Sequence, residues 1–89
     1  MHMKQEELNN VCRMLEELSE DISVPRNIRR GAKEAKEILL RRDESLDVKI
    51  ASAISILDEL VNDPNTPIHG RTAIWNIMGA LESLSAKSK

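Results

Sequence analysis

The chain has very few aromatic residues. It contains no Phe and no Tyr, and Trp75 is the one aromatic side chain among its 89 residues. A hydrophobic core must therefore be built from Leu, Ile, Val, Met and Ala, and a chain of this length has room for one modest core. Nucleic-acid recognition through a series of stacking aromatic rings is disfavoured for the same reason.

Cysteine and long apolar runs are also scarce. Cys12 stands alone, which excludes a disulfide framework and a cysteine-based metal site. No apolar run approaches the roughly 18 residues of a membrane-spanning helix, and no basic segment followed by an apolar stretch marks a signal peptide. Charged residues make up 31% of the chain with a net charge of −2, which is typical of an ordered soluble domain. We expect a cytoplasmic location by default.

The most informative feature present is an internal repeat. Residues 42 positions apart match along the chain: Leu15 with Leu57, Glu17 with Glu59, Leu18 with Leu60, Asp21 with Asp63, Pro25 with Pro67, and Arg29 with Arg71. A match at one fixed period is the signature of a duplicated helix-turn-helix unit. The sequence therefore predicts two copies of one helical hairpin, with a proline at each turn.

The spacing of apolar residues predicts four helices, over about 4–19, 25–40, 46–61 and 67–85. Their inner faces are defined by aliphatic residues at three- and four-residue steps. These are Leu8, Val11, Cys12, Leu15, Leu18 and Ile22 in the first helix; Ile28, Ala32, Ala35, Ile38 and Leu39 in the second; Leu46, Ile50, Ala53, Ile54, Leu57, Leu60 and Val61 in the third; and Ile74, Ile77, Met78, Leu81 and Leu84 in the fourth.

Helix starts are marked by capping residues and prolines. Ser45 is the expected N-cap of helix 3, and Thr66 that of helix 4. Pro25 and Pro67 suit the first turn of helices 2 and 4, because proline has a helical φ and lacks the N–H that would go unbonded there.

Two hairpins, over about 4–40 and 46–85, pack most simply as an all-α, four-helix up-and-down bundle within a single domain, 1–89. An open stack of two repeats is the competing geometry. Solenoids usually need at least about three repeats to cover their faces, so we predict the closed bundle.

Two resemblances bear on this architecture. Residues 60–73, Leu-Val-Asn-Asp-Pro-Asn-Thr-Pro-Ile-His-Gly-Arg-Thr-Ala, resemble the turn of HEAT-like repeats, in which an Asp precedes the turn and an apolar–Arg pair opens the second helix. The arginine of that family would fall at Asn27 and His69, so we expect no Asp–Arg ladder between the repeats.

As a whole, the chain is similar to uncharacterised archaeal protein family 147. The likeness is carried by Val-Pro-Arg-Asn-Ile-Arg-Arg at 24–30 and Asn-Asp-Pro-Asn-Thr-Pro at 62–67, followed by Arg71 and Trp75. This resemblance implies a small cytoplasmic α-helical protein. It brings no activity and no functional residues with it.

Candidates for metal binding and nucleophilic catalysis are weak. His2, Cys12 and His69 are the softer ligands, and no two of them have ligand spacing on one element. A catalytic Cys12 would need an exposed thiol with a lowered pKa, whereas its place in the apolar stripe predicts burial. We expect no metal, no cofactor and no enzymatic activity.

Paired carboxylates occur at matching positions of the two repeats, Glu16–Glu17 and Asp58–Glu59. Adjacent helical residues point about 100° apart, so neither pair shares a site, and solvated faces explain both. The repeated aspartates at 21 and 63 are instead expected to organise the two turns through side-chain to backbone hydrogen bonds.

Helix 2 and its end carry seven of the 13 basic residues: Arg26, Arg29, Arg30, Lys33, Lys36, Arg41 and Arg42. A basic helix is a possible footprint for nucleic acid. The negative net charge and the acidic first helix beside it oppose this interpretation. Pairing with acidic neighbours, or a protein partner, is the favoured explanation.

Helix 4 has a second apolar or small face, formed by Ile68, Thr72, Trp75, Gly79 and Ala86. Trp75 could simply pack at an edge of the bundle. The sharper hypothesis is a protein–protein contact at Ile68, Thr72, Trp75 and Gly79, most economically a homodimer. The sequence thus favours a non-enzymatic interaction module, with nucleic-acid binding through helix 2 as the alternative.

Overall fold

The structure, a computed structural model, describes residues 3–88 and contains four helices. They are α1 (Met3–Ser19), α2 (Arg26–Leu39), α3 (Leu46–Val61) and α4 (Ile68–Ser88). The predicted boundaries are confirmed to within a few residues, with α4 continuing slightly beyond its expected end.

The helices close into a bundle. α1 packs on α2, α2 on α3 and α3 on α4, and α4 returns to pack on α1. This last contact distinguishes a closed bundle from an open stack of two hairpins, so the predicted architecture is confirmed. α2 and α4 occupy opposite corners, and both interhelix turns at the repeated prolines lie at the same end of the molecule.

The core is aliphatic and matches the predicted stripes closely. Its fully buried members include Leu15, Ile28, Leu57 and Leu81. Burying each such side chain contributes roughly 1.5–3 kcal/mol. One predicted core residue is wrong: Ile22 is 88% exposed, because α1 ends at Ser19 and the turn that follows takes residue 22 out of the helical phase.

α2 and α4 each begin one residue later than predicted, so the two turn prolines precede the helices instead of starting them. Pro25 is the N-cap of α2, and its carbonyl accepts from the backbone N–H of Ile28 and of Arg29. Pro67 likewise precedes α4, and its carbonyl accepts from the N–H of Arg71 at 3.0 Å. Each proline therefore presets the entry into a helix without belonging to it.

Of the two predicted N-caps, one is confirmed and one is wrong. The Ser45 hydroxyl accepts from the Val48 N–H at 3.4 Å at the start of α3. The Thr66 hydroxyl instead donates to the Leu60 carbonyl at 2.8 Å. Thr66 thus satisfies the carboxyl end of α3 rather than the amino end of α4, and its side chain is buried.

Candidate interaction surfaces

The two turns are built in the same way, around matching aspartates. Asp21 Oδ1 accepts from the backbone N–H of Ser23 at 2.9 Å, and Asp63 Oδ1 accepts from that of Asn65 at 2.8 Å. The predicted role of both aspartates as turn organisers is confirmed. Hydrogen bonds from the Ser23 hydroxyl and N–H also hold the pKa of Asp21 below its usual range, because they stabilise the charged carboxylate.

Polar contacts join the turn of each copy to the other copy. Asn27 Nδ2 at the start of α2 donates to Asp63 Oδ2 at 2.7 Å. At the matching place, His69 at the start of α4 lies 2.7 Å from the Ser23 hydroxyl and 3.7 Å from Asp21 Oδ2. We call these two reciprocal contacts the clasp.

The Ser23 hydroxyl links His69 to Asp21. The Ser23 hydroxyl gives its hydrogen to Asp21 Oδ1, so toward His69 it acts as an acceptor. A hydrogen on His69 Nε2 would complete this chain of hydrogen bonds. Asn27 and His69 stand where the arginines of HEAT-like repeats would fall, and each of them reaches the turn of the opposite copy.

A matched pair of arginines, one in each copy, supports each turn from its own side. Arg29 Nε donates to the Val24 carbonyl at 3.2 Å, and Arg71 Nη2 donates to the Asp63 carbonyl at 3.4 Å. These matched residues brace the backbone of the turn that precedes them. Arg29 is therefore partly engaged in the fold rather than displayed on the basic surface.

Two other residues of the basic surface pair with acidic side chains. Lys36 Nζ lies 2.6 Å from Glu16 on α1, and this pairing lowers the pKa of Glu16 and raises that of Lys36. Arg41 lies 3.3 Å from Glu44. The remaining members are exposed: Arg26, Arg30, Lys33 and Arg42.

An open groove between α1 and α2 has a volume of about 470 Å³ and is lined by side chains of both charges. Its lining residues are Glu16, Ser19, Glu20, Lys33, Lys36, Glu37 and Leu40. Three acidic and two basic side chains line it, so it has no strongly dominant sign with which to select a charged ligand. This arrangement agrees with the predicted complementarity of the acidic and basic helices.

The outer face of α4, defined by Ile68, Thr72, Trp75 and Gly79, turns away from the core. Ile68 is 82% and Trp75 58% exposed, and Thr72 and Gly79 are exposed as well. A Trp75 that packs at a bundle edge and a Trp75 that serves a protein–protein contact are both consistent with this exposure.

The first copy supplies a direct comparison for this outer face. Shifted back by 42 residues, its four positions are the exposed residues Arg26, Arg30, Lys33 and Glu37 of α2. The same fold positions, exposed in both copies, are thus all charged in one copy and all uncharged in the other. Applying the repeat offset to the whole of helix 4 would have found this contrast from the sequence.

The remaining candidate residues are dispersed. His2 lies outside the described residues. Cys12 is buried in the core, and burial raises the pKa of its thiol, whereas His69 belongs to the clasp. Glu17 and Asp58 lie exposed on different helices, so the structure does not bring the repeated carboxylate pairs into one site.

None of the helices described within residues 3–88 combines the length and the apolar character needed to cross a membrane.

Comparison with known proteins places this fold among archaeal relatives. A protein from Methanothermobacter thermautotrophicus is 51% identical over 84 residues, covering 94% of this chain and 82% of the relative. A protein from Methanocaldococcus jannaschii is 51% identical over 78 residues, covering 88% and 84%. Both are named only as members of family UPF0147.

A solved structure shows the same fold. The crystal structure of a protein from Thermoplasma acidophilum superposes with a TM-score of 0.92 at 46% identity, covering 96% of this chain and all of that one. The model of the uncharacterised protein family UPF0147 matches residues 1–84. This chain therefore belongs to the uncharacterised protein family UPF0147.

Proposed function

We propose that the protein is a non-enzymatic interaction module that binds a protein partner through the outer face of α4. The observation that carries this proposal is the contrast between the two copies. α2 shows that the bundle accepts charged residues at these four exposed positions. The uncharged character of the same positions in α4 is therefore not required by the fold.

The chemistry of this face fits a protein interface. Trp is enriched among the residues that dominate binding energy, and charged residues are depleted at interface centres. Between residues 68 and 86, α4 carries two charged residues, Arg71 and Glu82, whereas the matching span 26–44 carries eleven. A surface helix with so little charge has a low desolvation cost when a partner covers it.

Exchanging the face for its counterpart tests the proposal. A variant with Ile68→Arg, Thr72→Arg, Trp75→Lys and Gly79→Glu gives α4 the residues that α2 already carries. The immobilised variant and wild type are each incubated with purified chain and with an extract of the native cells, and bound protein is quantified. Since a central Trp contributes about 2 kcal/mol or more to an interface, we expect binding to weaken roughly 30-fold or more.

The matched control replaces Arg30 and Lys33 of α2 by Ala. It should retain the partners of the wild-type chain, and circular dichroism should show both variants folded. Equal retention of all bound proteins by the wild type and by the four-residue variant would contradict the proposal.

Nucleic-acid binding is the second candidate, and one observation favours it. Arg26, Arg30 and Lys33 are all exposed and lie on one side of α2 by their spacing of four and three residues. The Arg30→Ala, Lys33→Ala control then serves as the test variant. Phosphate contacts would make binding of generic RNA fall steeply with added salt and weaken in that variant. Absence of RNA binding at low salt removes this candidate. The cytoplasmic location stays a prediction.

A further inference from the structure

The three glycines of the chain differ in what surrounds them. A Cβ on Gly31 would meet the Leu60 side chain at 2.6 Å, and one on Gly70 would meet methyl groups of Val24 and Thr66 at 3.3 Å. These two glycines allow close packing inside the bundle. A Cβ on Gly79 would meet nothing within 4 Å.

Gly79 therefore has no role in the packing of a single chain. It lies within α4 with a negative φ, a conformation open to any residue. Glycine is the least favourable residue in a helix interior apart from proline, so its place on an exposed face calls for an explanation outside the monomer.

The spacing of the outer face supplies that explanation. Positions 68, 72, 75, 79, 82 and 86 follow alternating steps of four and three residues, the seam along which two helices pack in a coiled coil. Along this seam larger and smaller side chains alternate: Ile68, Thr72, Trp75, Gly79, Glu82 and Ala86.

We propose that the occupant of this face is a second copy of the chain, with the two α4 helices antiparallel about a two-fold axis at the level of residue 77. The inference rests on the proposed interaction function and names its partner. With this axis Trp75 faces Gly79 of the second copy, Ile68 faces Ala86, and Thr72 faces Glu82. Each layer pairs a larger side chain with a smaller one, and every pairing occurs twice, as a two-fold contact requires.

Charge favours the second copy over a charged partner. The seam carries one charged residue, Glu82, so it has few charges that could pair with those of a charged partner surface. In the antiparallel arrangement each Glu82 faces Thr72 of the other copy. The two Glu82 residues are therefore ten residues apart along the seam, which is about 15 Å. That distance exceeds the screening length of about 8 Å at physiological salt, so self-repulsion is weak.

The parallel alternative fits less well. It would place Trp75 against Trp75 and Gly79 against Gly79, which leaves a gap at one layer and crowding at the next. It would also set the two Glu82 carboxylates side by side. A single helical seam is smaller than the ~800 Å² that each partner contributes to a standard interface. We therefore expect a weak dimer that forms at micromolar concentrations.

Sedimentation equilibrium from nanomolar to high micromolar concentration tests the dimer, with Gly79→Glu as the critical variant. The added side chain has open space in the monomer, but it fills the place that Trp75 of the second copy needs. We expect the dissociation constant of the dimer to rise roughly 30-fold or more, the loss of one hot-spot contact. The matched control Lys33→Glu, on α2, should leave it unchanged.

Engineered cysteines test the direction of the helices. In the antiparallel dimer the two residues at position 86 lie about 27 Å apart along the axis, far beyond the ~7 Å Cα separation that a disulfide allows. Ala86→Cys alone should therefore not cross-link, whereas an equal mixture of Ile68→Cys and Ala86→Cys chains should form the mixed disulfide. The native Cys12 is buried and does not compete.

The outcomes separate this inference from the function on which it rests. A wild-type chain that stays monomeric at every concentration, or efficient cross-linking of Ala86→Cys to itself, overturns the antiparallel dimer. The interaction function would survive that result if another protein still bound in a manner that depends on Trp75. It would fail together with the dimer if no protein did.

Discussion

The outer faces of α2 and α4 are the most instructive pair of regions in this molecule. Both belong to the same position of a duplicated hairpin, and both are open to solvent. One is densely charged, while the other displays Ile68 and Trp75. Since the two faces share one backbone setting, the fold does not require their difference.

The inner faces of the two copies show the opposite behaviour. Leu15 and Leu57 are both fully buried, as are the pair Val24 and Thr66 to within a few per cent. Where the copies do differ inside, the difference is structural, because the Thr66 hydroxyl satisfies the Leu60 carbonyl. The interior thus retains the repeat that the outer surface has lost.

The largest expected effect on stability comes from the buried cores of the two copies, which should respond equally to the same substitution. Leu15→Ala and Leu57→Ala should each lower the free energy of unfolding by about 2–5 kcal/mol, since both remove a buried side chain and leave a cavity. Urea denaturation of the two variants measures this loss. Trp75→Lys, on the outer face, should cost far less. A large loss from Trp75→Lys would show that the fold itself needs the outer face of α4.

A second test compares glycines inside and outside the bundle. Gly79→Ala should raise the free energy of unfolding by up to about 1 kcal/mol, because Ala favours the helix and nothing obstructs its methyl group. Gly31→Ala should be less stable than Gly79→Ala by about 1–3 kcal/mol, because its methyl group overpacks against Leu60. Thermal unfolding at concentrations below any association gives both values, and equal stabilities would contradict the packing described.

The clasp should contribute a smaller amount. A double-mutant cycle with Asn27→Ala and Asp63→Ala should give a coupling energy of about 0.5–1 kcal/mol, typical of one partly exposed hydrogen bond. The cycle with His69→Ala and Ser23→Ala tests the reciprocal contact. Zero coupling in both cycles would mean that the turns hold together without the clasp.

The smallest effect is a dependence on acidic pH. Because the pKa of Asp21 is lowered in the folded chain, the stability that it contributes is complete at neutral pH and is lost as the pH falls below about 4. Glu16 acts in the same direction through Lys36. The decline in the urea midpoint between pH 5 and pH 2.5 should be shallower for Asp21→Asn than for wild type. An identical decline would show that Asp21 does not contribute to the loss of stability at acidic pH.

Much of the fold follows from the sequence because its signals are local and repeated. Aliphatic spacing places four helices, and the fixed offset pairs their turns and cores. Ile22 was misplaced because it continues the apolar spacing of α1 past the residue at which the backbone turns. Thr66 was misplaced because a threonine before a proline suits an N-cap, while the nearby Leu60 carbonyl supplies a competing bond.

The site was harder to infer than the fold. Local spacing puts Ile68, Trp75 and Gly79 on one side of α4, but it does not tell whether that side meets α3, α1 or solvent. The clasp was equally hidden, because its contacts join residues 36 and 46 positions apart through polar side chains. Only the packing of all four helices decides both questions.

The fluorescence of Trp75 tests the central claim most directly, because this single aromatic residue lies on the face in question. We expect its emission to move to shorter wavelength as wild-type chain is concentrated through the micromolar range, since the indole leaves water. The emission of Gly79→Glu should stay fixed over the same range. Emission typical of an exposed indole at every concentration of wild-type chain would contradict burial of the α4 face by a second copy.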